Sequence, residues 1–318
     1  MNENLSPVAG LFLQEDVVMN ENLWPLVVEV MRALRPHYGP AMEETAAAAG
    51  LERPAWFLLL PTLIFEPEPV SADRLRVRMP YNAGQYYHEG LATLANRGML
   101  AAGSENEYRL TGKGRETVQH IIEAAYTRMA GLEPMPLADL ERLAALLRRL
   151  VEASVAAPEP PGKWSICLSR RTDLGEDAAV VIRIDQYLSD LAAYRDDAHL
   201  AAWRPYGISG PAWEALTLLW RGEAGTLDGL YQKLEWRRYT RAVYAEALED
   251  LVGRGWIVTE AGHYWTTVRG RTIRQEAEEV TDHYFYAPWS CLNEGESLAL
   301  EGLLTQLRDG LRRLSDRL

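Results

Sequence analysis

The chain has little of what many chemistries require. Of its 318 residues only two are cysteine, Cys167 and Cys291, far apart and with no second pair, which excludes a Cys-x-x-Cys zinc cluster. Such usage fits a reducing compartment, with both thiols expected as buried structural groups. No apolar run reaches the ~18 residues of a membrane-spanning helix, and MNENLSPVAGLFLQEDVV shows no basic leader before an apolar core, so a cytoplasmic protein without membrane contact is expected. Positive charge is in deficit: 33 Lys and Arg stand against 45 Asp and Glu, a formal net charge of -12. That balance disfavours indiscriminate attraction to nucleic acid, while screening over ~10 Å leaves room for a local basic face. Nucleophile elbows, P-loops and dinucleotide fingerprints are missing, and GRGW and GKGRE are weak glycine matches at turns. Neither catalysis nor a cofactor is expected. Phenylalanine is scarce too, four against ten Trp and fifteen Tyr. Trp and Tyr carry polar handles, suited to a ligand or partner surface, or simply build a core.

What the chain does contain is a repeat. GLERPAW, ending at Trp56, aligns with GISGPAW, ending at Trp213, at an offset of 157 residues. The same offset pairs Tyr87, Glu89, Leu91 and Leu94 with Tyr244, Glu246, Leu248 and Leu251, and Arg97-Gly98 with Arg254-Gly255. After a one-residue deletion, Tyr108, Thr111, Gly114-Arg115 and Glu123 meet Tyr264, Thr267, Gly270-Arg271 and Glu279. A tandem duplication is expected, with an N-terminal domain over 1–155, a Pro-rich linker and connector over 156–179 containing AAPEPPGKW, and a C-terminal domain over 180–318.

The second copy parses more cleanly. Ser209 caps a helix with Pro211 in its first turn, and Trp213, Leu216, Leu219 and Trp220 share a face. Thr226 starts a second helix with Leu227, Leu230 and Leu234 inward. The third, with Thr240 as cap, buries Val243, Ala247, Leu248 and Leu251 and stops at Gly255. A hairpin around Glu260-Ala261-Gly262 follows, then a long helix from Thr267 towards Pro288. In the closing segments, PLADLERLAALLRRLVEA and the run with Leu298, Leu303, Leu307, Leu311 and Leu314 predict helices that pair with each other or with a second chain.

Helix, helix, helix, hairpin, long helix is the winged-helix order. YRLTGKGRE, after a helix ending in NRGML, resembles the Leu-Thr-x-x-Gly passage from wing to dimerisation helix in MarR-type winged-helix regulators, and YWTTVRGRT is a weaker form of it. The resemblance covers most of both copies. It implies a mainly α fold with small β-hairpin wings: two winged helix-turn-helix domains in tandem, linked by long helices, like a MarR-type homodimer fused into one chain. The protein would then be a monomeric pseudo-dimer or pair again as a homodimer.

The resemblance also implies a transcriptional regulator with double-stranded DNA as partner, its third helix entering the major groove. Carried across, Asn82, Gln85, Tyr86 and His88 in copy one and Tyr239, Thr240, Arg241 and Tyr244 in copy two would face bases, where Asn, Gln and Arg offer two hydrogen bonds each. Arg74, Arg76, Arg78, Arg237 and Arg238 would face phosphate, or merely solvent. The wings depart from the pattern: GSENEY carries two glutamates and TEAGHY only His263, where a minor groove favours arginine. The alternative is a ligand- or protein-binding module that keeps the fold without DNA affinity. MarR-type proteins hold small aromatic or amphipathic ligands beside the long helices, which implies an effector crevice lined by Trp56, Trp203, Tyr206, Trp213 and Trp220, with Trp24 near it. Plain core is the competing reading for these rings. In YRDDAHLAAWRPYG, Asp196, Asp197 and His199 could hold a metal or form an acid-base pair, or equally cap and salt-link a helix.

Overall fold

A computed structural model describes residues 23–316, apart from the side chains of Arg53, Pro54 and Arg78. The first 22 positions of the expected N-terminal domain therefore lie outside the described residues. Among the described residues, thirteen α-helices and two hairpins are arranged as a series that runs twice. The first passage comprises α1 (Leu23–Ala48), α2 (Arg53–Phe65), α3 (Ala72–Arg78), α4 (Gly84–Asn96), β1 (Leu100–Ala102), β2 (Tyr108–Leu110), α5 (Gly112–Ala130) and α6 (Leu137–Ala156). A short helix, α7 (Trp164–Ser169), lies in the connector. The second passage comprises α8 (Val180–Trp203), α9 (Gly210–Trp220), α10 (Leu227–Leu234), α11 (Arg241–Gly253), β3 (Ile257–Glu260), β4 (His263–Thr266), α12 (Val268–Tyr286) and α13 (Glu294–Ser315).

The residues that recur between the passages are those the local geometry cannot exchange. Gly98 and Gly255 end α4 and α11 at φ 74° and 69°, the left-handed region that only glycine enters without strain. Thr111 and Thr267 cap α5 and α12: each hydroxyl accepts from an amide three residues on, Gly114 or Gly270, at 3.0 Å. Each also donates back to the preceding glycine carbonyl, Gly98 at 2.7 Å and Gly255 at 2.8 Å. A Cβ on Gly114 would lie 1.9 Å from the Met99 carbonyl oxygen, and one on Gly270 2.0 Å from that of Trp256. The Thr-x-x-Gly spacing is thus a cap plus a gap that lets the long helix lie against the first hairpin strand. Both hairpins are antiparallel, pairing Leu100 with Leu110 and Ile257 with Thr266. Ala261 and Gly262 both have positive φ, the backbone of a tight hairpin turn.

The long helices interlock across the two passages. α1 packs on α5 of its own unit and on α13 of the other, while α8 packs on α12 and on α6. α6 and α13 touch in the middle. The apolar stripe of α13 runs through Leu300, Leu303, Leu304, Leu307 and Leu311. Leu298, expected inside, is exposed instead, because it lies two residues before Leu300, on the far side of the helix from that stripe. Ion pairs follow the same crossings: Arg308 and Arg312 with Glu29, Arg149 with Glu296, and Arg183 with Glu141. Cys291 is half-buried, but Cys167 is exposed: α7 turns Ser165, Ile166, Leu168 and Ser169 inward and leaves the thiol outside, against expectation. Among the described residues no helix is long and apolar enough to cross a membrane.

Replacing Gly114 or Gly270 by Ala should lower stability by about 2 kcal/mol, since backbone must move to admit the methyl group. Gly302→Ala, where a Cβ meets nothing within 4 Å, should instead be neutral or stabilise α13 by about 0.5–1 kcal/mol. Urea midpoints of the three variants check this.

Candidate functional site

The turns that precede the third helix of each unit meet face to face. The Ala83 amide donates to the Arg237 carbonyl at 2.9 Å, and the Tyr239 hydroxyl donates to the Asn82 carbonyl at 3.1 Å. Arg237 sits at the centre. It grips both oxygens of Glu214, the shortest contact being 2.6 Å, and donates to the Asn82 side-chain oxygen at 3.0 Å. Its guanidinium lies 3.7 Å from the Trp236 ring centroid and 5.3 Å from that of Tyr81. Arg204 adds a bond to the Val77 carbonyl at 2.6 Å. The backbone itself comes close: a Cβ on Gly210 would lie 2.5 Å from the Pro80 carbonyl oxygen of the other unit. Burial raises the Glu214 carboxyl above its usual range, with Arg237 pulling it back down.

This seam sorts the residues expected to read DNA. Asn82 is buried, its amide also donating to the Tyr87 hydroxyl at 3.2 Å, and Arg237 is spent on Glu214. Tyr244 is core, its hydroxyl directed at the Leu234 carbonyl, and Tyr86 leans edge-on against Tyr87. Thr240 is the N-cap of α11, accepting from the Val243 amide. Gln85 and His88 on α4, and Arg238 and Arg241 at the start of α11, are exposed. Arg241 pairs with Asp228 at 2.7 Å, but both side chains are more than half exposed, so that pair is exchangeable. Arg76 lies 4.0 Å from Asp73 and reaches the Tyr239 hydroxyl across the seam, and Arg74 donates to the Pro69 carbonyl. The Arg78 side chain lies outside the described ones. Arg238 holds φ at 63°, an uncommon place for a side chain of its size.

The tryptophans expected in a ligand crevice are packed inward. Trp56, Trp203 and Trp213 are buried, with Trp203 and Tyr206 stacked on Trp213 at 5.7 and 6.1 Å. Arg274, itself buried, is wedged between Trp213 and Trp220 and paired with Glu278 at 2.5 Å. Trp24 meets Phe285 edge to face. A cavity of about 990 Å³ opens elsewhere, beside the seam, between α2, α3, α4, α7, α8 and the turn ahead of α11, and none of these tryptophans, nor Tyr206, lines it. It runs from Phe57, Ile64 and Leu75 to Trp236, Arg237 and Arg238. Sequence reading missed it because its walls come from separate units.

Asp197 and His199 do not face one another. Asp197 accepts from the Ser165 and Ile166 amides at 2.8 and 3.0 Å, capping α7. His199 lies against Trp213 and Thr281, each at 3.4 Å. Among the described residues no group of three or more His, Cys, Asp or Glu is placed to hold a metal.

Burial, reinforced by Arg274, pushes His199 down to about 4. An imidazole that titrates lower when folded favours the folded state above the unfolded value and loses that advantage as pH falls through ~6.5 towards the folded value. Wild type should therefore lose up to about 3 kcal/mol relative to His199→Leu across that window, measured as the difference between their urea midpoints. Asp185, which burial pushes up to about 6, acts in the opposite sense in both proteins and cancels from the comparison. At the seam, Arg237→Ala leaves the Glu214 carboxylate buried and unpaired and should cost about 3 kcal/mol, whereas the Arg237→Met, Glu214→Leu pair should recover most of it.

Residues 177–314 match a helix-turn-helix family, from just before α8 to the end of α13. No curated protein and no solved structure matches the chain. The second unit, carrying α9 to α11 and their hairpin, is thus the part of the chain that is similar to helix-turn-helix proteins.

Proposed function

We propose that the chain is a DNA-binding transcriptional regulator built by tandem duplication of a winged-helix unit, a fused counterpart of the MarR-type homodimer it resembles, and responsive to a small aromatic or amphipathic ligand. The observation that carries the reading is the start of α11: within the part similar to helix-turn-helix proteins, Arg238 and Arg241 stand exposed beside a properly capped helix. On α4, Gln85 and His88 stand exposed as well. Supporting the duplication, α4 matches α11 and α5 matches α12 in length and in place within the series, with the same Thr cap and Gly gap.

The seam sets a condition on this function. Ala83 is the residue before α4, and Arg237 lies four residues ahead of α11, so their hydrogen bond holds the two helix starts within about 25 Å. Two recognition helices reading adjacent major grooves stand ~34 Å apart. The closed seam is therefore the resting form, and binding to both grooves opens it. A second reading, a module without DNA affinity, is favoured by the exposed Glu105 and Glu260 of the hairpins, which a minor groove would repel.

One titration separates the two. Fluorescence anisotropy with random-sequence duplexes should show affinity falling log-linearly with salt, and Arg241→Ala should reduce the slope by about one. Absence of binding even at ~20 mM salt, where screening is weak, would establish the second reading.

A further inference from the structure

The cavity beside the seam has a wall of one chemistry and a mouth of another. Six aromatic rings border it: Phe57, Phe65, Tyr81, Tyr86, Tyr87 and Trp236. Five charged side chains do so as well. Arg237 is neutralised by Glu214, and Asp196 has a partner of its own. Arg74 and Arg238 border it together with Glu235. Neither arginine has a carboxylate within 4.0 Å among the described residues, although Arg238 is held in a left-handed backbone conformation that places it at this mouth. A volume of about 990 Å³ is at the upper end for small-molecule sites and exceeds what a single ring would fill.

We propose that this cavity binds an amphipathic anion: a planar body of two or more aromatic rings with one carboxylate or sulfonate, the rings lying among the aromatic side chains and the head on Arg238. Stacking on the ring walls supplies the area, and a charge-assisted hydrogen bond fixes orientation. The proposal rests on the regulator reading only for its consequence. A molecule touching Tyr81 and Asn82 from one unit and Trp236 and Arg238 from the other joins both sides of the seam. It holds the two helix starts together and withdraws Arg238 from phosphate, so occupancy weakens DNA binding.

The test uses the whole protein without DNA and two probes of nearly the same body: anilinonaphthalene sulfonate, which is anionic, and phenylnaphthylamine, which is not. Fluorescence titrations compare wild type with Arg238→Gly, which keeps the left-handed turn and removes the cation, and with Ile64→Trp, which fills the cavity. Both probes should saturate on wild type and weaken about tenfold or more on Ile64→Trp, because the added indole takes the space in which their rings are buried. Arg238→Gly should weaken the sulfonate about tenfold and leave the amine unchanged. Equal binding to all three proteins, no saturable binding to wild type, or parallel loss of both probes on Arg238→Gly would each overturn the assignment. Because DNA is absent, these results stand apart from the regulator reading: probe binding of the expected pattern without duplex affinity sinks the regulator and keeps the site. Duplex affinity with unresponsive probes does the reverse.

Discussion

The relation between the two units depends on one guanidinium. Arg237 is held by Glu214 within its own unit and by Asn82 across the seam, and its carbonyl receives the Ala83 amide. Two carboxylate oxygens, an amide oxygen and two ring faces together satisfy a cation that would otherwise be costly to bury. Around it the backbones come close enough that Gly210 admits no side chain against Pro80. The corresponding position in the first unit is Arg53, so this closeness belongs to one side of the pair only.

The interlocked helices explain why such a seam can be asymmetric without the molecule falling apart. α1 crosses to α13 and α8 crosses to α6, so each unit is anchored by a helix of the other, and leucine stripes rather than the seam carry the burial. The shorter helices and hairpins of the two units are then free to differ. The hairpins show it: the cross-strand pair Ala101 and Arg109 in the first becomes Val258 and Trp265, both exposed, in the second.

Much of this was legible in the residues. Thr111 with Gly114 and Thr267 with Gly270 announce a cap and a close approach, and Gly98 and Gly255 announce helix ends, because each is a local requirement written within a few positions. The caps at Ser209, Thr226 and Thr240 are of the same kind and stand as expected. The site was less legible. Asn82 and Arg237 look like base and phosphate contacts, and no neighbour in sequence shows that they meet 155 residues apart. Trp213 reads equally as core or crevice until Trp203, Tyr206 and Arg274 are seen around it. Leu298 reads as inward because a leucine-rich helix offers two stripes a residue or two apart, and packing against α1 and α6 selects the one through Leu300, Leu303, Leu304, Leu307 and Leu311.

The central claim is that the seam opens when the two third helices engage DNA. It is tested most directly by measuring one distance by pulsed electron spin resonance. Spin labels at Thr93→Cys on α4 and Glu249→Cys on α11, with Cys167 and Cys291 replaced by serine, report the separation of the two helices on outward positions. The account predicts a single short distance in the free protein that lengthens by about 10 Å on a saturating duplex, the difference between the seam-limited spacing and one turn of DNA. A distance that stays the same with DNA fully bound would contradict it.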